Sequence, residues 1–316
     1  MRSAIINKLY YDMLRIRLVE EKIAELYPDQ EMRCPVHLSI GQEATAVGVC
    51  SALKNEDYVL STHRSHAHYL AKGGNLKAMI SELYGRKSGC CKGKGGSMHL
   101  FDKSVNSYAV PIVGSTIPIA VGTAFASLIS NKPLVSVAFF GDAAVEEGVF
   151  YESLNFASLK KLPMVFVCEN NLYSVYSPLK VRQPANRSNI KIAGGHGIEG
   201  HQGDGNNVME VYNLAKAAVE KARNGGGPTF LQFATYRWRE HCGPYYDNHL
   251  GYREENEFES WKLCDPIKQL EKQYMDESKI EKMILKIEKE IHDAFNFAQN
   301  DQYPDKAMLY QHVYAD

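Results

Sequence analysis

Between Ile5 and Leu26 the apolar residues Ile5, Leu9, Met13, Ile16, Val19, Ile23 and Leu26 recur at three- and four-residue steps among charged neighbours. That spacing predicts an amphipathic helix, which opens the chain as an N-terminal helical arm over residues 1–30. Residues 73–96 break the pattern. They are dense in glycine and close on GKGGSMH, too irregular for a long helix and suited to backbone that must approach a ligand or another chain. A continuous apolar run over 134–140 then predicts a buried strand. A turn follows at Gly141 and Asp142, a helical stretch runs to Leu159, and a second strand covers 164–168. Residues 208–223 read as a helix stopped by Gly225, Gly226 and Gly227, with Pro228 leading into a strand over 229–235. Residues 266–299 return to a charged helical pattern, a surface pair of helices within a C-terminal helical region at 259–300. The alternation predicts an α/β fold, a mostly parallel sheet flanked by helices with helical extensions at both ends. No repeat, low-complexity tract or linker divides the 316 residues, so a single domain over 1–316 is expected.

Composition narrows the class without pointing to a function. Apolar residues are 45%, charged residues 23% and the formal net charge is -1, which argues against a partner found by bulk electrostatics. Neither nucleic acid nor an anionic membrane is expected. The seven cysteines are scattered, include the adjacent pair Cys90 and Cys91, and show no CxxC spacing. They read as reduced thiols rather than a disulfide scaffold or structural zinc site. No apolar run approaches the roughly 18 to 20 residues that span a bilayer, and the N-terminus lacks a signal-type core. A cytoplasmic location is expected.

The candidate chemistry sits where the strands end. In a parallel sheet, ligands bind beyond the carboxyl ends of the strands, so Asp142 and Asn171 are expected at one sheet edge. Both offer oxygen, and Mg²⁺ takes one or two protein oxygens while phosphate and water fill its remaining octahedral positions. A helix starting near Ala143 would add free N–H groups and partial positive charge for a diphosphate. Gly141 leaves that turn without an obstructing side chain. Gly141-Asp142 or Asn170-Asn171 alone reads as an ordinary turn or cap; their placement after successive strands is what points to a metal. Gly203-Asp204-Gly205 follows no strong strand pattern and is set aside as the metal site.

GDAAVEEGVFYESLNFASLKKLPMVFVCENNLYS resembles the thiamine diphosphate motif of the alpha subunits of two-subunit 2-oxoacid dehydrogenases, most closely the pyruvate and acetoin branch. The likeness runs from about Tyr11 to Arg253, through GQEA (41–44), THRSHA (62–67), GRKSGCCKGKGGSMH (85–99), PIVGSTIPIAVGTA (111–124) and GGGPTFLQFATYR (225–237). KGKGGSMH is specific to this branch and is missing from the branched-chain members. The resemblance implies a thiamine diphosphate-binding fold with thiamine diphosphate and Mg²⁺ as cofactors. Asp142, Asn171 and the backbone carbonyl of Tyr173 would hold the metal. Gly141, Ala143 and Ala144 would meet the diphosphate through backbone, Arg64 and His241 would face its oxygens, and His63 would stand among the cofactor-binding residues. Val113 would pack under the cofactor's bend. The backbone of Pro111 would approach the aminopyrimidine, although proline has no N–H to offer there. His66, His99 and His241 match positions implied to serve catalysis near the reacting carbon.

The implied reaction is decarboxylation of a small 2-oxoacid, or cleavage of acetoin, with transfer of the acyl unit to a lipoyl group. The implied partners are a beta subunit that supplies the glutamate activating the aminopyrimidine, in an α₂β₂ heterotetramer, and a lipoyl acyltransferase. Glu43 in GQEA matches an alpha-subunit position and does not take that role. Two departures bear on the substrate. His63 stands where pyruvate-type members usually carry tyrosine, and WREHCGPYYD (238–247) stands where they carry YHGHSMSDP. His241 survives the second change but the serines do not, so their phosphorylation is not carried over. Two alternatives stay open: a thiamine-dependent decarboxylase or carboligase with a small carbonyl acceptor such as a sugar intermediate, and a non-catalytic binding homologue.

Overall fold

The computed structural model describes residues 2–274 and 276–311. A seven-stranded sheet is built from β1 (Tyr58–Ser61), β2 (Phe101–Asp102), β3 (Ser107–Ala109), β4 (Ser136–Gly141) and β5 (Met164–Asn170). After a small separate ribbon of β6 (Tyr173–Ser174) and β7 (Ser177–Pro178), β8 (Glu199–Asp204) and β9 (Thr229–Ala234) complete it. The strand order is β2-β3-β1-β4-β5-β9-β8, parallel throughout except between β2 and β3.

Alternate residues of each central strand serve two cores, because side chains on a strand point to opposite faces in turn. Val137 and Phe139 of β4, with Val165 and Val167 of β5, pack with Val49 of the helix Glu43–Cys50 and with Val211 and Val219 of the helix Val208–Arg223. Ala138, Phe140, Phe166 and Cys168 face the other side, against Ile117 of the helix Thr116–Ile129 and Leu154 of the helix Gly148–Leu159. Burial on both faces is why these strands read as unbroken apolar runs.

The first helix, Arg2–Leu26, presents Leu9, Met13, Ile16, Val19 and Ile23 to a third core that also takes Ile287, Ile291 and Phe295 from the helix Glu277–Asn300. The N-terminal arm is therefore clamped against the C-terminal end of the chain. The pair expected over 266–299 is Pro266–Tyr274 and Glu277–Asn300, and a further helix, Glu255–Leu263, precedes it.

Two local readings are corrected. The α-helix after β4 begins at Gly148, and residues Asp142–Glu146 form a 3-10 turn instead. Gly203 and Asp204 do lie in a strand, β8. As an edge strand composed of EGHQGD, with no residue fully buried, it carries no apolar run to betray it. Among the described residues no helix is long and apolar enough to cross a membrane.

The GQEA turn has a packing reason. Gly41 sits at φ 97°, and a Cβ there would lie 2.4 Å from Cδ1 of Trp238 and 2.6 Å from the carbonyl oxygen of Tyr236. Glu43, fully buried, accepts 2.5 and 2.9 Å hydrogen bonds from Arg17 and two from the Gly41 N–H. The carboxylate thus ties the first helix to the turn that starts the next one.

Candidate active site

β4 and β5 pair with Gly141 opposite Glu169, so both strands release their chains at one sheet edge. Gly141, Asp142, Ala143, Ala144, Asn171 and Tyr173 line a cavity of ≈ 260 Å³ there. Its remaining wall includes His63, Arg64, Pro111, Val113 and His241. Those eleven positions, spread over five stretches of sequence, are brought together; His66 and His99 are not among the walls.

At the carboxylate end, Asp142 is 1% exposed. Burial pushes its carboxyl up, and the hydrogen bond and charge of Arg182 pull the other way. Arg182 forms an ion pair with Asp142 and reaches Glu146 at 2.6 Å. Gln183 follows it with Nε2 donating to Glu146 at 2.8 Å. The guanidinium of Arg182 occupies the position of a counter-cation beside a buried carboxylate, which is the electrostatic requirement a bound dication would also meet. The amide of Asn171 donates to Oε1 of Gln42 at 3.0 Å, while its Oδ1 accepts from the Tyr173 N–H at 3.2 Å. Tyr173 is anchored through its hydroxyl to Glu257 at 2.7 Å. A Cβ at Gly141 would meet nothing within 4 Å, so the space beside Asp142 is open. Hard oxygen donors around such a space fit Mg²⁺, which would take its remaining ligands from diphosphate and water. The N–H groups available to a diphosphate belong to the short 3-10 turn, so the expected full helix dipole is replaced by the local N–H groups alone. Arg182 carries no signal in the sequence, and Gln42, although part of GQEA, has no spacing that links it to Asn171.

The rest of the cavity carries three imidazoles. His37 contacts His63 and His241 edge-on, with ring centroids 4.9 and 5.1 Å away, and His63 lies 5.4 Å from His241. Backbone stitching makes this cluster: the Gly243 N–H donates to Val36 O at 2.8 Å and the Trp238 N–H to Ile40 O at 3.0 Å. Arg64 clamps the same two segments, donating to Leu38 O at 2.5 Å and His241 O at 3.2 Å. His37 was missed because the segment holding it meets His241 only through the fold.

Burial first, then the positive charge of Arg64, lowers the histidines to about 4 for His63, about 3 for His241 and about 2 for His37. Burial and Arg237 press Arg64 itself down to about 9. The imidazoles are therefore neutral near pH 7. Unfolding restores ordinary histidine affinity for protons, so stability from this cluster is full above pH 6.5 and is lost as pH falls toward the folded-state values. Urea denaturation between pH 6.5 and 5 should show stability falling with acidification, and the slope should be shallower in His241→Asn. Equal slopes would contradict the assignment.

The expectation that His66 faces a reacting carbon is corrected. It is fully buried, with Nδ1 3.1 Å from Glu20 and Nε2 2.7 Å from Ser97 Oγ. Glu20 also accepts the Ser39 N–H at 2.8 and 2.9 Å. His66 therefore braces the wall behind Met98, which lines the cavity. His99, with Nδ1 2.7 Å from the Gly95 carbonyl, closes the glycine-rich loop. That loop wraps the Glu82 carboxylate, which accepts from the N–H groups of Cys91, Gly93, Gly95 and Gly96 at 2.7 to 3.0 Å.

Comparison with known proteins bears on this arrangement. Residues 11–307 match the family described as Dehydrogenase E1 component. The alpha subunit of the pyruvate dehydrogenase E1 component from Rhizobium meliloti (strain 1021) is 38% identical, over 97% of this chain and 89% of that one. The chloroplastic alpha-3 subunit of the pyruvate dehydrogenase E1 component from Arabidopsis thaliana is also 38% identical, over 98% of this chain and 74% of that one. The alpha subunit of acetoin:2,6-dichlorophenolindophenol oxidoreductase from Bacillus subtilis (strain 168) is 37% identical, over 97% and 92%. With a match along nearly its whole length, this chain belongs to the dehydrogenase E1 component family, and the three relatives named above are alpha subunits.

Proposed function

We propose that the chain is the alpha subunit of a two-subunit, thiamine diphosphate-dependent dehydrogenase that acts on a small 2-oxoacid such as pyruvate, or on acetoin, and delivers the acyl unit to a lipoyl group. The observation that carries this reading is the buried Asp142 beside Asn171 and Tyr173, in one cavity at the ends of β4 and β5. Asp142, Asn171 and the Tyr173 carbonyl would hold Mg²⁺. Backbone at Gly141, Ala143 and Ala144, with Arg64, His63 and His241, would hold the diphosphate, and Val113 and Pro111 would support the rest of the cofactor. When bound, thiamine diphosphate supplies the electron sink that lets a 2-oxo compound lose CO₂ or be cleaved. The chain's own contribution is to bind, orient and keep the metal end dry.

Ile112 is 68% exposed and Val113 48%, an apolar rim that a beta subunit would cover while adding the glutamate that activates the aminopyrimidine. The assembly in this reading is α₂β₂, in the cytoplasm, with a lipoyl acyltransferase downstream. The test is to assay the two-subunit complex with pyruvate or acetoin and a redox dye, then to add a lipoyl domain. Reductive acylation of that domain supports the proposal. Normal decarboxylation without acylation would favour the carboligase reading with a carbonyl acceptor.

Arg182 makes a separate prediction. Mg²⁺ and the Arg182 guanidinium compete for the Asp142 carboxylate, so Arg182→Gln should lower the Mg²⁺ concentration for half-maximal cofactor binding. The expected change is roughly tenfold, corresponding to about 1.5 kcal/mol, the lower end for a hydrogen bond to a charged group, since the pair is largely buried. A calorimetric Mg²⁺ titration at fixed thiamine diphosphate measures it, and a raised requirement would show that Arg182 assists the metal instead.

A further inference from the structure

We propose that Gln42 is a positioning residue for the metal: its side-chain carbonyl holds the Asn171 amide so that the oxygen, not the nitrogen, faces the cation. This role rests on the thiamine diphosphate reading. It gives a task to the member of GQEA that lines the cavity.

The backbone at Gln42 is fixed from both sides. Gly41 sits at φ 97°, with Trp238 and Tyr236 too close for a side chain, and Glu43 is tied to Arg17 and the Gly41 N–H. The Gln42 N–H donates to Ser39 O at 2.8 Å. Gln42 is also the N-cap of the helix Glu43–Cys50, a position favouring Ser, Thr, Asp and Asn, whose short side chains accept from the first N–H groups. Here the side chain makes no cap hydrogen bond. It is 2% exposed and reaches Asn171 instead, where Oε1 accepts from Nδ2 at 3.0 Å. A buried amide committed to Asn171 rather than to its own helix points to a task at Asn171.

An asparagine amide has an oxygen end and a nitrogen end of nearly equal size, and only the oxygen suits a hard cation. Two contacts decide which end goes where. The Tyr173 N–H can only donate, so the end 3.2 Å from it is Oδ1. Nδ2 then lies on the side of Gln42, which presents an acceptor. Turning the Asn171 amide over would set two donors against each other at Tyr173 and two oxygens against each other at Gln42. Oδ1 has two lone pairs; the Tyr173 N–H uses one, and the other is left for a metal in the cavity that Asp142 also lines. Donation from Nδ2 to Gln42 further polarises the amide and makes Oδ1 the stronger ligand.

The test is calorimetric Mg²⁺ titration of the two-subunit complex at fixed thiamine diphosphate, for the parent, Gln42→Met, Gln42→Glu, Asn171→Asp and Gln42→Met/Asn171→Asp. Methionine keeps the length and neutrality of glutamine and loses the carbonyl. Gln42→Met should raise the half-saturating Mg²⁺ concentration by about 10- to 100-fold, the usual effect of losing an outer-shell partner, and saturating Mg²⁺ should restore cofactor binding to the parent level. Gln42→Glu keeps the acceptor and should need no more Mg²⁺ than the parent. In Asn171→Asp both ends of the side chain are oxygen, so no end needs selecting, and adding Gln42→Met should change the requirement by less than about threefold. Three results would overturn the proposal: a Gln42→Met titration like the parent's, a raised requirement in Gln42→Glu, or an undiminished effect of Gln42→Met in the Asn171→Asp background. A loss of cofactor binding in Gln42→Met that saturating Mg²⁺ did not restore would likewise overturn it, as the mark of a residue that only packs the turn. Asn171→Ala separates this proposal from the reading beneath it. If the parent bound without Mg²⁺, or Asn171→Ala bound as the parent does, the metal site and the role of Gln42 would fall together. If Asn171→Ala were weakened and Gln42→Met were not, the role of Gln42 alone would fall.

Discussion

Asp142→Ala is expected to abolish Mg²⁺-dependent binding of thiamine diphosphate by the two-subunit complex, with an affinity loss of about 100-fold or more. The size follows from two effects at one position. The substitution deletes a metal ligand, and second-shell changes alone commonly cost 10- to 100-fold in metal affinity. It also leaves Arg182, now paired with Glu146 alone of its two carboxylate partners, as a positive charge beside the place where the dication must sit. Asp142→Asn keeps the shape and one oxygen but not the charge, and should fall between. Calorimetric titration with cofactor and Mg²⁺ measures both. Asp204→Ala, in the Gly203-Asp204-Gly205 string outside the cavity, should leave cofactor binding unchanged. If Asp142→Ala bound normally, the metal site would have to lie elsewhere.

Glu43→Ala is expected to destabilise the folded chain by about 3 to 5 kcal/mol, the range for removing one partner of a buried ion pair. Arg17 is the reason. Glu43 accepts its two short hydrogen bonds, and the remaining acidic neighbour, Asp265, lies at 3.3 to 3.4 Å. Arg17 also stacks over Trp238 with its guanidinium carbon 4.3 Å from the ring centroid, so it cannot swing to solvent without opening the contact between the first helix and the GQEA turn. Urea denaturation at neutral pH gives the number. A loss under about 1 kcal/mol would mean that Asp265 and the indole face suffice. Glu43 lines no part of the cavity, so its effect should register in stability rather than in chemistry.

The strand-helix-strand unit that carries Asp142 and Asn171 was legible because its strands are buried on both faces, and double burial writes an unbroken apolar run into the chain. The turn residues at the strand ends were legible for the same reason, since a known strand end places the next residue at the sheet edge. β8 was not legible. An edge strand half open to solvent needs no apolar run, and its hydrogen bonds to β9 are made by backbone that every residue carries. The start of the helix after β4 was misplaced by a few residues, because a 3-10 turn and an α-helix share one apolar spacing over so short a stretch.

The histidines divide the same way. His63, Arg64 and His241 could be assigned from motif position. His66 belonged to the same motif, yet its neighbours Glu20 and Ser97 turn it into a brace. Nothing in the order of residues near His37 distinguishes it from a turn histidine; the hydrogen bonds that join residues 36–40 to 238–243 bring it to His241. Arg182 reaches Asp142 from beyond the β6-β7 ribbon by the same kind of distant closure. What the order of residues settles here is burial and turning, because periodicity and turn chemistry are local properties. Which loop lies against which, and so whether a histidine lines the cavity or supports its wall, is decided only when the packed sheet brings segments remote in the chain within hydrogen-bonding distance.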